Sequence, residues 1–274
     1  MVEVVQPFRN AGTTKVIEVV NVSKTFKTTY GEDVMAIRDI SFVLRQGEFL
    51  SIVGRSGCGK STLLKIVAGL LDATSGSVYV SGSKVLVPLD NIGFVFQRPL
   101  LLPWRNTLDN VLLPIELLGL SRADYLVRAR ELIEVVGLGG FEKALPKGLS
   151  IGMQQRVSIA RALILDPAIL ILDEPFGSLD ELTREEMSSE LLRVTQGMGK
   201  TVLFVTHSIA EAVMMGDRVL VLSPRPSTVE VDLEVKLPRP RDGSIRTEGR
   251  YLRYCEEIRA ALGVGQQTLS GKVA

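Results

Sequence analysis

The stretch "EFLSIVGRSGCGKSTLLKIVAGL", residues 48–70, decides the architecture. Its first residues, "EFLSIV", form a short apolar run that stops at Gly54 and reads as a buried central strand. From Lys60 onward, "KSTLLKIVAGL" places Leu63, Leu64 and Val67 on one helical face. Between strand and helix, Gly54, Gly59, Lys60 and Ser61 satisfy the spacing G-x-x-x-x-G-K-[ST]. Glycines let the backbone bend so that successive N–H groups converge on phosphate oxygens. The helix behind presents its N-terminus, which favours an anion. Lys60 supplies a point charge to the β- and γ-phosphates, and the Ser61 hydroxyl suits Mg²⁺. A strand before and a helix after set this loop apart from a chance glycine-rich turn. Cys58 inside it reads as a small residue that fits, not as a redox centre.

The alternation continues downstream. "NIGFVF" (91–96), "AILIL" (168–172), "TVLFVT" (201–206) and "RVLVL" (218–222) read as strands. The helical patterns "ELTREEMSSELLRVTQ" and "SIAEAVMMG" lie among the last three, and Ser208-x-x-Glu211 reads as a capping box. Apolar strands separated by helices predict an α/β fold with a mainly parallel sheet covered on both faces. Upstream, "VIEVVNV" (16–22) and "AIRDISFVL" (36–44) predict further strands joined by a turn near Gly31. From about 98 to 160 the pattern is mostly helical, an inserted subdomain. There Tyr125, Leu126, Ala129, Leu132, Ile133 and Val136 form a stripe, with Ser121 as cap and Gly137 as stop. Residues 1–15 read as a loose tail, 16–240 as one domain, and 241–274 as an extension with a short helix, "YLRYCEEIRAAL", and a polar end.

Composition removes other classes. The net charge is +1, which gives no general attraction to nucleic acid or to an anionic membrane. Two distant cysteines, Cys58 and Cys255, argue against a disulfide scaffold. The N-terminus lacks the basic-then-apolar order of a signal peptide. "PLLLPWRNTLDNVLLPIELLGL" is broken by Arg105, Asp109, Glu116 and prolines, so it does not read as a span. A soluble or peripheral chain is expected, with any membrane spans supplied by another polypeptide.

Asp173 closes the apolar strand "AILIL" and faces the strand-top crevice, where it can hold Mg²⁺, usually through water. Glu174 comes next, points elsewhere, and can orient and activate an attacking water. Two solvated acids at a strand end are an ordinary turn by themselves; a phosphate loop upstream makes them the second half of a nucleotide site. His207, the only histidine, ends another apolar run and falls at the same topological level. Gln97, just past "GFVF", reaches that rim by the same argument.

In this order, "GRSGCGKST", Gln97, "LSIGMQQRVSIARAL", "ILILDEPFGSLD" and "FVTHSIAEA" resemble the ATP-binding-cassette ATPases, from about residue 16 to 240. The resemblance implies a RecA-like P-loop core, an N-terminal antiparallel β subdomain and an inserted helical subdomain. It implies ATP and Mg²⁺ as ligands. Phe26 matches the aromatic that stacks on adenine, and Gly54, Ser56, Gly57, Cys58, Gly59, Lys60, Ser61 and Thr62 match the phosphate loop. Gln97 matches a loop that touches the metal-bound water and senses the transporter. Ser150 and Gly152 match the signature that faces the nucleotide of the other subunit in a head-to-tail homodimer. Asp173 and Glu174 match the Mg²⁺-site and catalytic acids, Asp180 the loop that communicates across the dimer, and His207 the switch at the γ-phosphate. Ser61, Gln97 and Asp173 are thus the expected metal-site residues, and Glu174, His207, Gln97 and Lys60 the expected catalytic ones.

One position departs from the family: Ile151 stands where the signature has its first glycine. A β-branched residue tolerates a helical turn but not positive φ, so this position is expected to be helical. The nitrate/sulfonate/taurine importers are the branch that "GFVFQRPLLLPWRNTLDNV", "DEPFGSLDELTREEM" and "LSPRPS…LPRPRDG" resemble most. That branch implies separate membrane permeases, an indirect solute-binding protein, and a peripheral place on the cytoplasmic face of a bacterial inner membrane. Trp104, in "RPLLLPWRNT", suits either a coupling surface or the helical core. Two alternatives lie within the fold: an ATPase for lipid or drug export, and a soluble one for repair or translation, whose coiled-coil insert or second cassette is not seen here. A P-loop kinase or a binder without turnover would have no use for Ser150 or Glu174 respectively.

Overall fold

Each parallel strand of the main sheet is apolar at nearly every position because both of its faces are covered, whereas the antiparallel edge strand alternates apolar and acidic residues. In the computed structural model, which describes residues 14–27, 31–177 and 179–263, the chain opens with β1 (Lys15–Lys27), β2 (Asp33–Arg45) and β3 (Phe49–Gly54). There follow α1 (Lys60–Val67), β4 (Ser75–Val80), β5 (Ser83–Lys84) and β6 (Ile92–Val95). Helices α2 (Thr107–Val111), α3 (Leu113–Leu117), α4 (Arg122–Val135) and α5 (Ile151–Leu163) come next. The chain then runs through β7 (Ile169–Asp173), α6 (Glu181–Gly197), β8 (Thr201–Thr206), α7 (Ile209–Met215), β9 (Arg218–Leu222), β10 (Val229–Glu234) and α8 (Gly249–Ala261). Most of the expected N-terminal tail and the polar end after α8 lie outside the described residues.

The main sheet has the order β10-β9-β3-β8-β7-β6, parallel from β9 to β6, with β10 antiparallel on one edge. A second sheet, β2-β1-β4-β5, is antiparallel. β-strand periodicity sends alternate side chains to opposite faces. Leu50 and Ile52 of β3, Ile169 and Ile171 of β7, Leu203 and Val205 of β8, and Leu220 and Leu222 of β9 pack with α1 and the second sheet. Their neighbours Phe49, Val53, Leu170, Leu172, Val202, Phe204, Val219 and Val221 pack into another core with α2–α8. The main sheet is therefore the wall between two cores.

The hairpin β4–β5 is the element the apolar pattern does not announce; "SGSVYVSGSK" offers serine and glycine where a core strand would offer branched apolar residues. Ser121 precedes α4 as expected, but its hydroxyl bonds nothing in the first turn. The backbone closes that turn instead, with Asp124 N–H donating to the Ser121 carbonyl at 3.2 Å. Within the stripe on α4, Ala129, Leu132 and Ile133 are buried, and Gly137 follows at φ +69°, where glycine is favoured.

The extension after residue 240 is sewn to the domain. Buried Arg241 donates to the carbonyls of Val213, Met214 and Gly216, which end α7, and to those of Val235 and Leu237. Burial pulls its guanidinium down to about 10. Arg55 Nη2, in the phosphate loop, donates to the Leu262 carbonyl at 3.0 Å, at the C-terminus of α8. No helix among the described residues is long and apolar enough to cross a membrane.

Candidate nucleotide site

Register brings the predicted residues to one rim. Val53 pairs with Thr206, Asp173 with Val205, and Leu172 with Val95. The residues that follow these strand ends are Gly54, His207, Glu174 and, one step further, Gln97. Parallel strands thus deliver all four to the carboxyl edge of the sheet, where such sheets bind ligands.

Glycines serve the loop in two ways. Gly57 at φ +76° and Gly59 at φ +120° take backbone angles that other residues resist, as expected of a bent loop. Gly54 does not; it is the last residue of β3. A Cβ there would sit 2.8 Å from Cys58 Sγ and 3.3 Å from Leu222 Cβ, so space rather than bending demands glycine. Cys58 is buried, with its thiol filling that gap.

Lys60 begins α1 and is only 3% exposed. Its ammonium donates to the carbonyls of Gly54 at 2.9 Å and Arg55 at 3.2 Å, and lies 3.1 Å from Glu174 Oε1. Ser61 Oγ donates to Asp173 Oδ1 at 2.7 Å. Burial pushes the Asp173 carboxyl above its usual range, the Ser61 hydroxyl opposes that, and the adjacent Glu174 charge reinforces it. Glu174 has φ +43°, so the chain turns sharply after the strand. Its carboxylate Oε2 meets His207 Nδ1 at 3.0 Å. Gly177, in the same turn, lies between Glu174 and Gln97: a Cβ on it would be 3.6 Å from Glu174 Oε2 and 3.7 Å from Gln97 Nε2.

The support behind His207 differs from the expected capping box. Glu211 N–H donates to Ser208 Oγ at 3.3 Å, which is one half of the box. The other half is absent, because the Glu211 carboxyl is buried and accepts from Thr206 Oγ1 at 2.5 Å instead. Thr206 Oγ1 in turn accepts from Ser208 N–H at 3.0 Å, so the histidine is bracketed on both sides. Burial raises the Glu211 carboxyl above its usual range, opposed by the Thr206 bond and the Arg184 charge.

A cleft of about 240 Å³ is lined by Phe26, Ala36, Gly57, Gly59, Lys60, Ser61, Thr62, Glu174 and Arg225. Phe26 is the residue before the last in β1, with its ring partly exposed, and Lys24 Nζ stands 5.2 Å from the ring centroid. Ala36 and Arg225 are the lining residues that sequence reasoning missed; nothing in local spacing ties "AIRD" or "SPRPS" to the loop.

Ser150, Gly152 and Asp180 do not line this cleft. Ser150 caps α5, accepting from Met153 N–H at 3.2 Å. Ile151 is helical and 54% exposed, as its branched side chain requires and allows. Gly152 is buried, where a Cβ would stand 3.3 Å from Thr183 Cγ2. Exposed Asp180 caps α6, accepting from Thr183 N–H at 3.0 Å and Thr183 Oγ1 at 2.8 Å; those bonds hold its carboxyl below the usual range. The segment after Gln97 is fastened from below. Arg161 of α5 donates to the carbonyls of Pro99 and Leu100, and Gln155 to that of Phe96. Above it, Trp104 is 73% exposed.

Comparison with known proteins bears on this geometry. A family model described as ABC transporter matches residues 37–177. An uncharacterised ABC transporter ATP-binding protein of Methanocaldococcus jannaschii is 45% identical over 242 residues, covering 88% of this chain and 89% of that one. A taurine import ATP-binding protein of Rhizobium johnstonii is 43% identical over 251 residues, covering 90% and 96%. A dimeric structure of an ATP-binding cassette in a post-hydrolysis state, bound to ADP and Pi, superposes with TM-score 0.72 at 35% identity, covering 81% of this chain and 100% of that one.

Proposed function

The chain belongs to the ABC transporter family, as an ATPase, and we propose that it energises uptake of a taurine-like small sulfonate or nitrate-class solute through separate membrane permeases. The observation that carries the site reading is the meeting of Lys60 and His207 on Glu174 at the rim of the cleft. Adenine stacks on Phe26, and the phosphates lie along Gly57 to Thr62. Lys60 and His207, which hold Glu174 here, are the groups that a γ-phosphate attracts. Arrival of ATP therefore frees the Glu174 carboxylate to take a proton from the attacking water.

Ser61 and Asp173 suit Mg²⁺. Both present hard oxygen atoms, joined by a 2.7 Å hydrogen bond, and would hold the ion through the Ser61 hydroxyl and, usually through water, the Asp173 carboxylate. When bound, the ion neutralises charge on the β- and γ-phosphates. Gln97 reports the occupancy of the site to the segment "RPLLLPWRNT", whose exposed Trp104 is the coupling surface for a permease. The permease holds the chain at the cytoplasmic face of the membrane. Ser150, Gly152 and Asp180 serve the nucleotide of a second copy in a head-to-tail dimer. ATP selects that closed dimer and hydrolysis removes the preference.

The test is Glu174→Gln. We expect ATP binding to persist and turnover to fall by at least about 10²-fold. An ATP-dependent dimer should accumulate on size-exclusion chromatography. Normal turnover in this variant removes Glu174 from its role.

A further inference from the structure

The segment "SPRPST", residues 223–228, joins β9 to β10. It is firmly docked. Ser227 is completely buried; its N–H and Oγ both donate to the Ala36 carbonyl, at 3.1 and 3.2 Å, and its carbonyl accepts from Arg38 N–H at 2.9 Å. Ser223 and Thr228 close the loop on itself, with Thr228 N–H donating to Ser223 Oγ at 2.9 Å and Ser223 N–H to the Thr228 carbonyl at 3.0 Å. The same loop leans on the phosphate-binding glycines. A Cβ on Gly59 would lie 3.3 Å from Ser227 Oγ, and one on Gly57 would lie 3.0 Å from Arg225 Nη2.

The docking fixes where Arg225 stands. Its side chain is exposed and walls the cleft beside Gly57, in company with Phe26 and Lys60. Arg218 and Arg241, which flank this loop in sequence, are spent on a carboxylate and on backbone carbonyls respectively. Arg225 makes no ion pair or hydrogen bond with any other described residue. A guanidinium carries its charge at every relevant pH, and its planar fork matches two phosphate oxygens at once. Held on a pinned backbone against an anion-binding loop, it loses little freedom on engaging a ligand.

We propose that Arg225 is a further nucleotide-binding residue that takes phosphate oxygens of the nucleoside polyphosphate from the Gly57 side of the loop. The proposal rests on the reading of this cleft as the ATP site. Gly57 then has a second duty besides its φ of +76°: it leaves the approach between Arg225 and the phosphates open.

The experiment is calorimetric titration of the full chain with ADP and with ATP, for wild type, Arg225→Ala, Arg225→Lys and Lys60→Ala, alongside the thermal midpoint without nucleotide. Arg225→Ala is expected to weaken both nucleotides by about tenfold at low salt, with the midpoint unmoved. The deficit should shrink as salt is raised, and Arg225→Lys should recover part of the affinity by keeping charge without the fork. Wild-type affinity in Arg225→Ala, while Lys60→Ala loses binding, overturns the proposal and leaves the ATP site standing. A lowered midpoint in Arg225→Ala, with Arg225→Lys recovering the midpoint but no affinity, makes the residue structural and also overturns it. Failure of wild type itself to bind either nucleotide removes both the site reading and this proposal.

Discussion

The two regions that the family reading assigns to one nucleotide are built differently. Around the phosphate loop, Lys60 bonds the Gly54 carbonyl and Glu174, His207 bonds Glu174, and Ser61 bonds Asp173, so that residues at the ends of β3, α1, β7 and β8 are tied together. At the signature, Ser150 and Asp180 accept bonds only from the first turns of their own helices, and Ile151 stands largely in solvent. The first region is organised before any ligand arrives, at the cost of burying charge that must remain paired. The second is a pair of capped helix starts, with the 13-residue α5 offering its positive end outward. On the proposed reading, the first region is shaped for phosphate within one protomer, and the second becomes a binding surface only against a docked copy.

That contrast can be broken by substitution. The largest expected effect is at His207. His207→Ala should lower ATP turnover at saturation about hundredfold while nucleotide affinity stays close to wild type. Steady-state kinetics and a binding titration check this. Weaker binding with normal saturated turnover would move His207 out of the reacting end. A smaller effect belongs to Ser150. Ser150→Ala should leave nucleotide binding by the protomer intact, lower stability by about 1 kcal/mol through loss of the cap, and weaken the ATP-dependent dimer about tenfold. Sedimentation in a Glu174→Gln background reads the dimer. If the isolated protomer lost ATP binding instead, the two regions would be one. The smallest belongs to Ile151, where Ile151→Gly should alter turnover or ATP affinity about twofold. Kinetics identical to wild type would mean that this side chain touches nothing across the interface.

Much of the phosphate-loop region is legible in the sequence because chemistry sets its spacing. Gly54 to Ser61 must wrap phosphate, and apolar runs ending at Asp173 and Thr206 must bring their next residues to one rim. The parallel sheet follows from strands apolar on both faces. What local pattern could not give is contact between distant segments. Gly54 looks like a bending glycine, yet lack of room demands it, first beside Cys58 in the same loop and then beside Leu222, 168 positions further on. Glu211 fits a capping box in spacing, yet burial and Thr206 claim its carboxyl. Arg225 reaches the cleft only because Ser227 is anchored to Ala36, a contact no periodicity encodes. Trp104 suits a core or a surface equally by composition, and the fold leaves it in solvent.

The division of the main sheet between two cores limits how the chain can vary in length. Adding or deleting one residue inside β3, β7 or β8 would exchange every inward and outward side chain beyond it. Leu203 would move into Phe204's surroundings, and the residues at the rim would be displaced from their register together. Insertions are consequently expected to collect in the connections, such as that between β5 and β6, while strand lengths stay fixed among relatives.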